Sequence, residues 1–252
     1  MTEPLGANSS RVWPVLGTLI ALFCSIATGA TDARQVFSAS APPWLRAVGK
    51  LQVPGQRFED GQAVHYLEAC SATLVALPAR DRADIIVTAW HCLELYGDLS
   101  KSILFTLPAA SGESLHREAY RLVDGGGMHA DWAILRLRQT VSALEVAALP
   151  IHPQVADANR PVTMAGYSGD SGLGSDGQQL TFDPACSISH QRRDMGDTNC
   201  TAHKGASGGA VIQMSAAGEA YFCGVISQGN GDGRSTFVPV STFREALNLH
   251  LR

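Results

Sequence analysis

From residue 48 onward the apolar residues of this chain come in short bursts, and that pattern leaves few folds open to it. Bursts lie at 69–76, 85–88, 103–107, 132–137, 161–166, 210–214 and 221–227. They are rich in Val, Ile and Thr, whose branched side chains suit a pleated surface. Polar stretches and turn residues separate them, drawn from 25 glycines and 12 prolines. Short strands punctuated in this way specify an all-β architecture, and a double β-barrel fits their number. Helical spacing appears only at 241–252, where Ser241 can cap, Glu245 falls near the first turn and Phe243, Leu247 and Leu251 share a face.

The length, 252 residues, allows one large domain or two small ones, and the 45% apolar content supports a sizeable core. Net charge is −4, and no basic cluster exceeds the Arg192-Arg193 pair, so nucleic acid is not an expected partner. At the start, Arg11 precedes an apolar run at 12–27, followed by Thr28, Gly29 and Ala30. A basic residue, a short apolar middle and small residues describe a secretory signal peptide. The run is short for a bilayer-spanning helix, which needs about 20 residues. We therefore expect a signal peptide over 1–30, cleaved between Gly29 and Ala33, and no membrane attachment afterwards. Residues 31–46, with Ala41-Pro42-Pro43, read as a pro-segment or flexible arm, and 47–252 as the working domain.

Cys24 lies in the signal run, which leaves Cys70, Cys92, Cys186, Cys200 and Cys223. In an oxidising compartment such cysteines pair. Proximity favours Cys70 with Cys92 and Cys186 with Cys200. Cys223, in an apolar stretch, reads as a buried free thiol.

Three segments carry chemistry. Val87-Thr88-Ala89-Trp90-His91-Cys92 ends a β-branched strand in a histidine that a disulfide can hold, as a general base requires. Asp131 opens the apolar run Trp132-Ala133-Ile134-Leu135. A buried carboxylate there needs a partner, and an imidazole supplies one. Gly205-Ala206-Ser207-Gly208-Gly209 sets a serine among glycines before a strand. That backbone can aim the N–H groups of Gly205 and Ser207 at one point, as an oxyanion hole does. Taken singly, each has a plainer reading: a structural histidine, a turn-capping aspartate, a Gly/Ser turn. Together, in the order His, Asp, Ser, they form one of the known triad arrangements.

These segments resemble the TAAHC, D-[IL]-A-L and GDSGG motifs of the trypsin/chymotrypsin family. The closer likeness is to the bacterial V8-like, or glutamyl endopeptidase-like, branch, which often carries a cysteine where Cys200 stands before Ser207. The resemblance covers roughly Trp44 to the C-terminus. It implies two six-stranded antiparallel barrels with a C-terminal helix and the site in the cleft between the barrels. It implies a catalytic triad of His91, Asp131 and Ser207. It further implies that Ser227-Gln228-Gly229 pairs with substrate backbone and that Ser227 lies near Asp131.

Departures qualify the likeness. Trp90 replaces the usual small residue before the histidine. Ala206 replaces the aspartate that animal-type members use to receive a new N-terminus, so trypsin-style activation is not expected, although Arg46 before Ala47-Val48-Gly49 looks like a cleavage site. Thr201 stands where trypsins carry aspartate, and Ile226 about where glutamyl members carry histidine, so the substrate pocket reads as neutral.

The expected protein is thus an exported serine endopeptidase, secreted or periplasmic and monomeric. It acts on protein or peptide substrates, with no metal and no cofactor. Rival readings are fewer in support. A catalytically inactive homologue that binds peptides or proteins would keep the fold. A nucleophile elbow at Ser207 would need Asp and His after it and a helix behind it. A zinc knuckle would use Cys186, His190, Cys200 and His203, whose spacing is ligand-like.

Overall fold

The computed structural model describes residues 1–2 and 32–251. Beyond its first two residues, the expected signal peptide, Cys24 included, lies outside them. Residues 32–251 begin with β1 (Gln35–Val36) and a 3-10 turn at Pro43–Ala47 that buries Leu45 and Ala47 completely.

The first half is a barrel. Its strands are β2 (Val48–Glu59), β3 (Gln62–Ala76), β4 (Arg82–Thr88), β5 (Ile103–Pro108), β6 (Ser114–Asp124) and β7 (Ala133–Ser142), with β8 (Leu149–Pro150) added in parallel to β3. The order β2-β5-β6-β7-β4-β3 closes through the β2–β3 pairing. Closure removes the free edges. β2 and β3 form a long hairpin that turns at Asp60-Gly61, both at positive φ. Asp-Gly is a strong hairpin signal. The outer part of β3 escapes an apolar-burst reading because residues 62–68 alternate between exposed and half-buried, while 70–76 are all buried.

The second half holds β9 (Val162–Gly166), β10 (Thr181–Cys186), β11 (Ile188–Gln191), β12 (Gly196–Thr198), β13 (Ala210–Met214), β14 (Ala220–Gly229) and β15 (Ser235–Pro239). These make an antiparallel, half-barrel sheet in the order β1-β10-β9-β13-β14-β15-β12-β11. The expected all-β, two-barrel architecture is therefore the one found, with the first barrel closed and the second a half-barrel.

Each end of the stretch 32–251 is strapped down. At the start, β1 pairs with β10, and the Phe37 N–H donates to the Leu180 carbonyl at 2.8 Å. At the end, α1 (Arg244–His250) is shorter than the 241–252 expected. Val240–Thr242 instead makes a 3-10 turn, closed by the Phe243 N–H on the Val240 carbonyl, and Ser241 caps nothing. Phe243, Leu247 and Leu251 do face inward, and they join the core that also contains Leu45 and the barrel strands. Phe243 stacks on Trp132 with ring centroids 5.2 Å apart. Such a pair is worth about 0.5–1.5 kcal/mol beyond its burial. Among the described residues, no helix is long and apolar enough to cross a membrane.

Candidate active site

Strand register brings the three motifs to one place. Thr88, the last residue of β4, sits opposite Ala133, the first of β7. The residues just past that pair share one end of the barrel: His91 in a 3-10 turn (Trp90–Leu93) and Asp131 ahead of β7. In the second half, Ala210 pairs with Val225. Ser207, just before β13, and Ser227, two residues beyond Val225, therefore lie at the same end of the β13–β14 pair.

Asp131 is the centre of the cluster. It is 1% exposed. Its Oδ1 accepts the His91 backbone N–H at 2.9 Å, and its Oδ2 lies 2.9 Å from His91 Nδ1. The Ser227 hydroxyl donates to Oδ2 at 2.5 Å. Burial alone would raise the carboxyl's pKa. The hydrogen bond and charge of His91, with the Ser227 hydroxyl, outweigh burial and hold it below the ordinary aspartate value. The carboxylate thus orients His91 through Nδ1 and leaves Nε2 as the ring nitrogen free for other work. The His91 side chain is one quarter exposed, so it reaches the surface of the cleft.

Ser207 lies beside this pair without bonding to the imidazole. Its Oγ donates to the Ser227 carbonyl at 3.4 Å. Around it the backbone is tightly specified. Gly205 has φ +94° and Gly208 φ +83°. A side chain on Gly208 would run into the Ser71 carbonyl and the Thr88 hydroxyl. Among the described residues, the N–H groups of Gly205 and Ser207 donate to no partner. Free N–H groups on either side of a turn can receive a developing oxyanion.

Sequence reasoning missed Ser71. This fully buried residue of β3 joins the two halves at the site. Its N–H donates to the Ser207 carbonyl, its Oγ donates to the Gly205 carbonyl, and the same Oγ accepts the Tyr167 N–H, each at 2.8 Å. The one available signal was a hydroxyl in the buried run that follows Cys70. The Cys70–Cys92 disulfide ties Ser71's neighbour to His91's neighbour.

The expected substrate residues are spread unevenly. Ser227 is buried on Asp131, while Gln228 and Gly229 are exposed along the end of β14. The Thr201 N–H donates to the buried Asp183 carboxylate at 3.0 Å. Between these segments there is little room. The Gly231 N–H bonds the Ala202 carbonyl at 3.0 Å. A Cβ on Gly229 would run into Ala202. A cavity of about 200 Å³ opens beside Gly205, lined by Lys50, Cys70, Tyr167, Gly177 and Lys204 among others.

Cys186 and Cys200 are joined in a second disulfide. Their thiols are thereby used up, and the zinc knuckle falls. Cys223 is free and buried, and burial pushes its thiol pKa up to about 12.

A family model described as a trypsin-like peptidase domain matches residues 70–220. No curated protein matches the sequence. Among solved structures, a thermostable serine protease, AL20, from an extremophilic microorganism is similar at a TM-score of 0.59 and 18% identity, over 83% of this chain and 99% of its own. A Glu endopeptidase solved in complex with MPD is similar at a TM-score of 0.58 and 19% identity, over 88% of this chain and 98% of its own. At these identities the two likenesses bear on the fold.

Proposed function

Because the chain belongs to the trypsin-like peptidase family, we propose that it is an exported serine endopeptidase working through an acyl-enzyme, with a small, neutral site for the residue before the cut bond. The observation that carries this reading is the buried Asp131 carboxylate, held 2.9 Å from His91 Nδ1 beside Ser207. His91 is oriented by one nitrogen and free at the other.

In the mechanism, Ser207 Oγ first turns from the Ser227 carbonyl to His91 Nε2. Hydrogen bonds of this kind are often loose before substrate arrives. Nε2 takes the hydroxyl proton as Oγ attacks the peptide carbonyl. The Gly205 and Ser207 N–H groups hold the oxyanion, each worth about 2.7–4 kcal/mol of the barrier. The C–N bond breaks, and the amine leaves with the proton from His91. Water then attacks the acyl-enzyme by the same proton route and frees Ser207. Substrate backbone lies along Ser227–Gly229 as an added strand. The chain's own side chains and backbone N–H groups suffice for this chemistry.

Ala202 and Ile226 are apolar and buried, which supports a neutral pocket. The contact of Gly229 with Ala202 supports a small one. Two disulfides suit an oxidising setting, outside the cell or in the periplasm. One chain carries every residue the mechanism needs, so a monomer is sufficient.

A fluorophosphonate probe tests the reading. Purified protein is expected to form an adduct on Ser207 that mass spectrometry locates, and Ser207→Ala to form none. A folded parent that stays unlabelled would instead favour an inactive, peptide-binding homologue.

A further inference from the structure

The Lys204–Gly205 peptide decides whether Gly205 can serve as an oxyanion donor. In a planar trans peptide, C=O and N–H point in opposite directions. The Lys204 carbonyl accepts the Gly169 N–H at 2.6 Å. That bond fixes the Gly205 N–H on the side away from Gly169. Gly205 also lies flat on this segment, where a Cβ would sit 2.5 Å from the Tyr167 carbonyl oxygen. The position of Gly169 is thus written directly into the hole.

Next to Gly169, Asp170 is gripped by a residue far away in sequence. Arg34 Nη1 and Nη2 donate to its two carboxylate oxygens at 2.7 and 3.0 Å. This is the bidentate geometry that fixes direction as well as distance. The Arg34 side chain is 2% exposed and also pairs with Asp32. Asp170 in turn organises its own loop, accepting the Gly174 N–H on its side chain and the Asp176 N–H on its carbonyl. A buried ion pair is a weak stabiliser, and its best-attested use is to select one arrangement over others. Here the arrangement selected is that of the loop that backs the Gly205 peptide.

We propose that Arg34 is a positioning residue for catalysis: through Asp170 and the Gly169 N–H it holds the Lys204–Gly205 peptide with its N–H toward the oxyanion. The arm that carries Arg34 then belongs to the working enzyme. The signal cleavage expected between Gly29 and Ala33 leaves Arg34 in place, and Asp170 remains its partner even where Asp32 is lost. The inference rests on the peptidase reading above.

The test compares the parent protein with Arg34→Met, Arg34→Lys and Asp170→Asn, all confirmed folded by circular dichroism and assayed well below their melting temperatures. The readout is fluorophosphonate labelling of Ser207, resolved into a maximal rate and a half-saturating probe concentration. Loss of a whole oxyanion donor costs about 10²–10³-fold in such chemistry. A donor merely allowed to wander is expected to cost at least about tenfold in maximal rate, with half-saturation unchanged within about twofold. Arg34→Met and Asp170→Asn should both show this, and Arg34→Lys, which keeps the charge without the fork, should recover only part of the rate. Should Arg34→Met fail to fold, Asp170→Asn and Arg34→Lys carry the comparison. Equal maximal rates in parent and variants would overturn the role of Arg34 alone. An unlabelled parent would overturn the peptidase reading and this inference together.

Discussion

Asp131 bears the greatest demand of any single residue here. It gives up nearly all contact with water, and three donors from His91 and Ser227 compensate. Replacing it with asparagine keeps the shape and removes the charge, and the amide would stabilise the wrong imidazole tautomer. Asp131→Asn is expected to lower kcat by about 10⁴-fold, the size of this lesion in serine proteases with the same triad. The melting temperature should stay close to the parent's, and steady-state hydrolysis beside thermal unfolding checks both. The candidates His91, Asp131 and Ser207, which the fold brings together, could be picked out because each sits in a short pattern of its own. Ser71 and Arg34 could not, since their roles lie in contacts with residues 96 and 136 positions away. An isolated serine in a strand, or an arginine before one, carries no local mark of such a partner.

At the scale of elements, the end of β14 and the loop at 201–204 are the two walls of the proposed substrate pocket. They touch through the Gly231–Ala202 hydrogen bond and the packing of Gly229 on Ala202. A residue with a large side chain before the cut bond must break that contact, while glycine or alanine need not. In a peptide library varied at this position, glycine and alanine are expected to be cleaved fastest, and Phe, Arg and Glu at least about tenfold slower, one hydrogen bond's worth of free energy. A preference for Glu or Phe would mean that the walls part. The proposed neutrality rests on Thr201 and Ile226, single positions in the sequence, whereas the proposed size rests on a contact between two separate segments. The strands divided in the same way. β4, β7 and β13 announced themselves as apolar bursts. β6 and the outer half of the β2–β3 hairpin did not, since their alternating polar residues face water and barrel closure, rather than their own burial, keeps them paired.

The whole molecule depends on how its ends are fastened, and acid tests the first fastening. Hydrogen bonds from Arg34 pull the Asp170 pKa down to about 2, against about 3.9 for a free aspartate. A carboxylate whose pKa is lower folded than unfolded stabilises the fold above its unfolded value and loses that contribution as pH falls through its folded value. Urea unfolding should therefore show the parent more stable than Asp170→Asn at pH 5, with the gap closing by about pH 2. A gap unchanged by pH would mean that the pair adds nothing through its charge. The second fastening has a different consequence. Phe243, Leu247 and Leu251 complete a core that begins at Leu45. A chain leaving the ribosome makes every strand of the first barrel long before the residues that cover it exist, and it makes His91 well before Ser207. The first half alone is left uncovered until the residues around Phe243, Leu247 and Leu251 have emerged. On the proposed reaction, a chain that has emerged only through its first half carries the base and no nucleophile, and so cannot cut its neighbours.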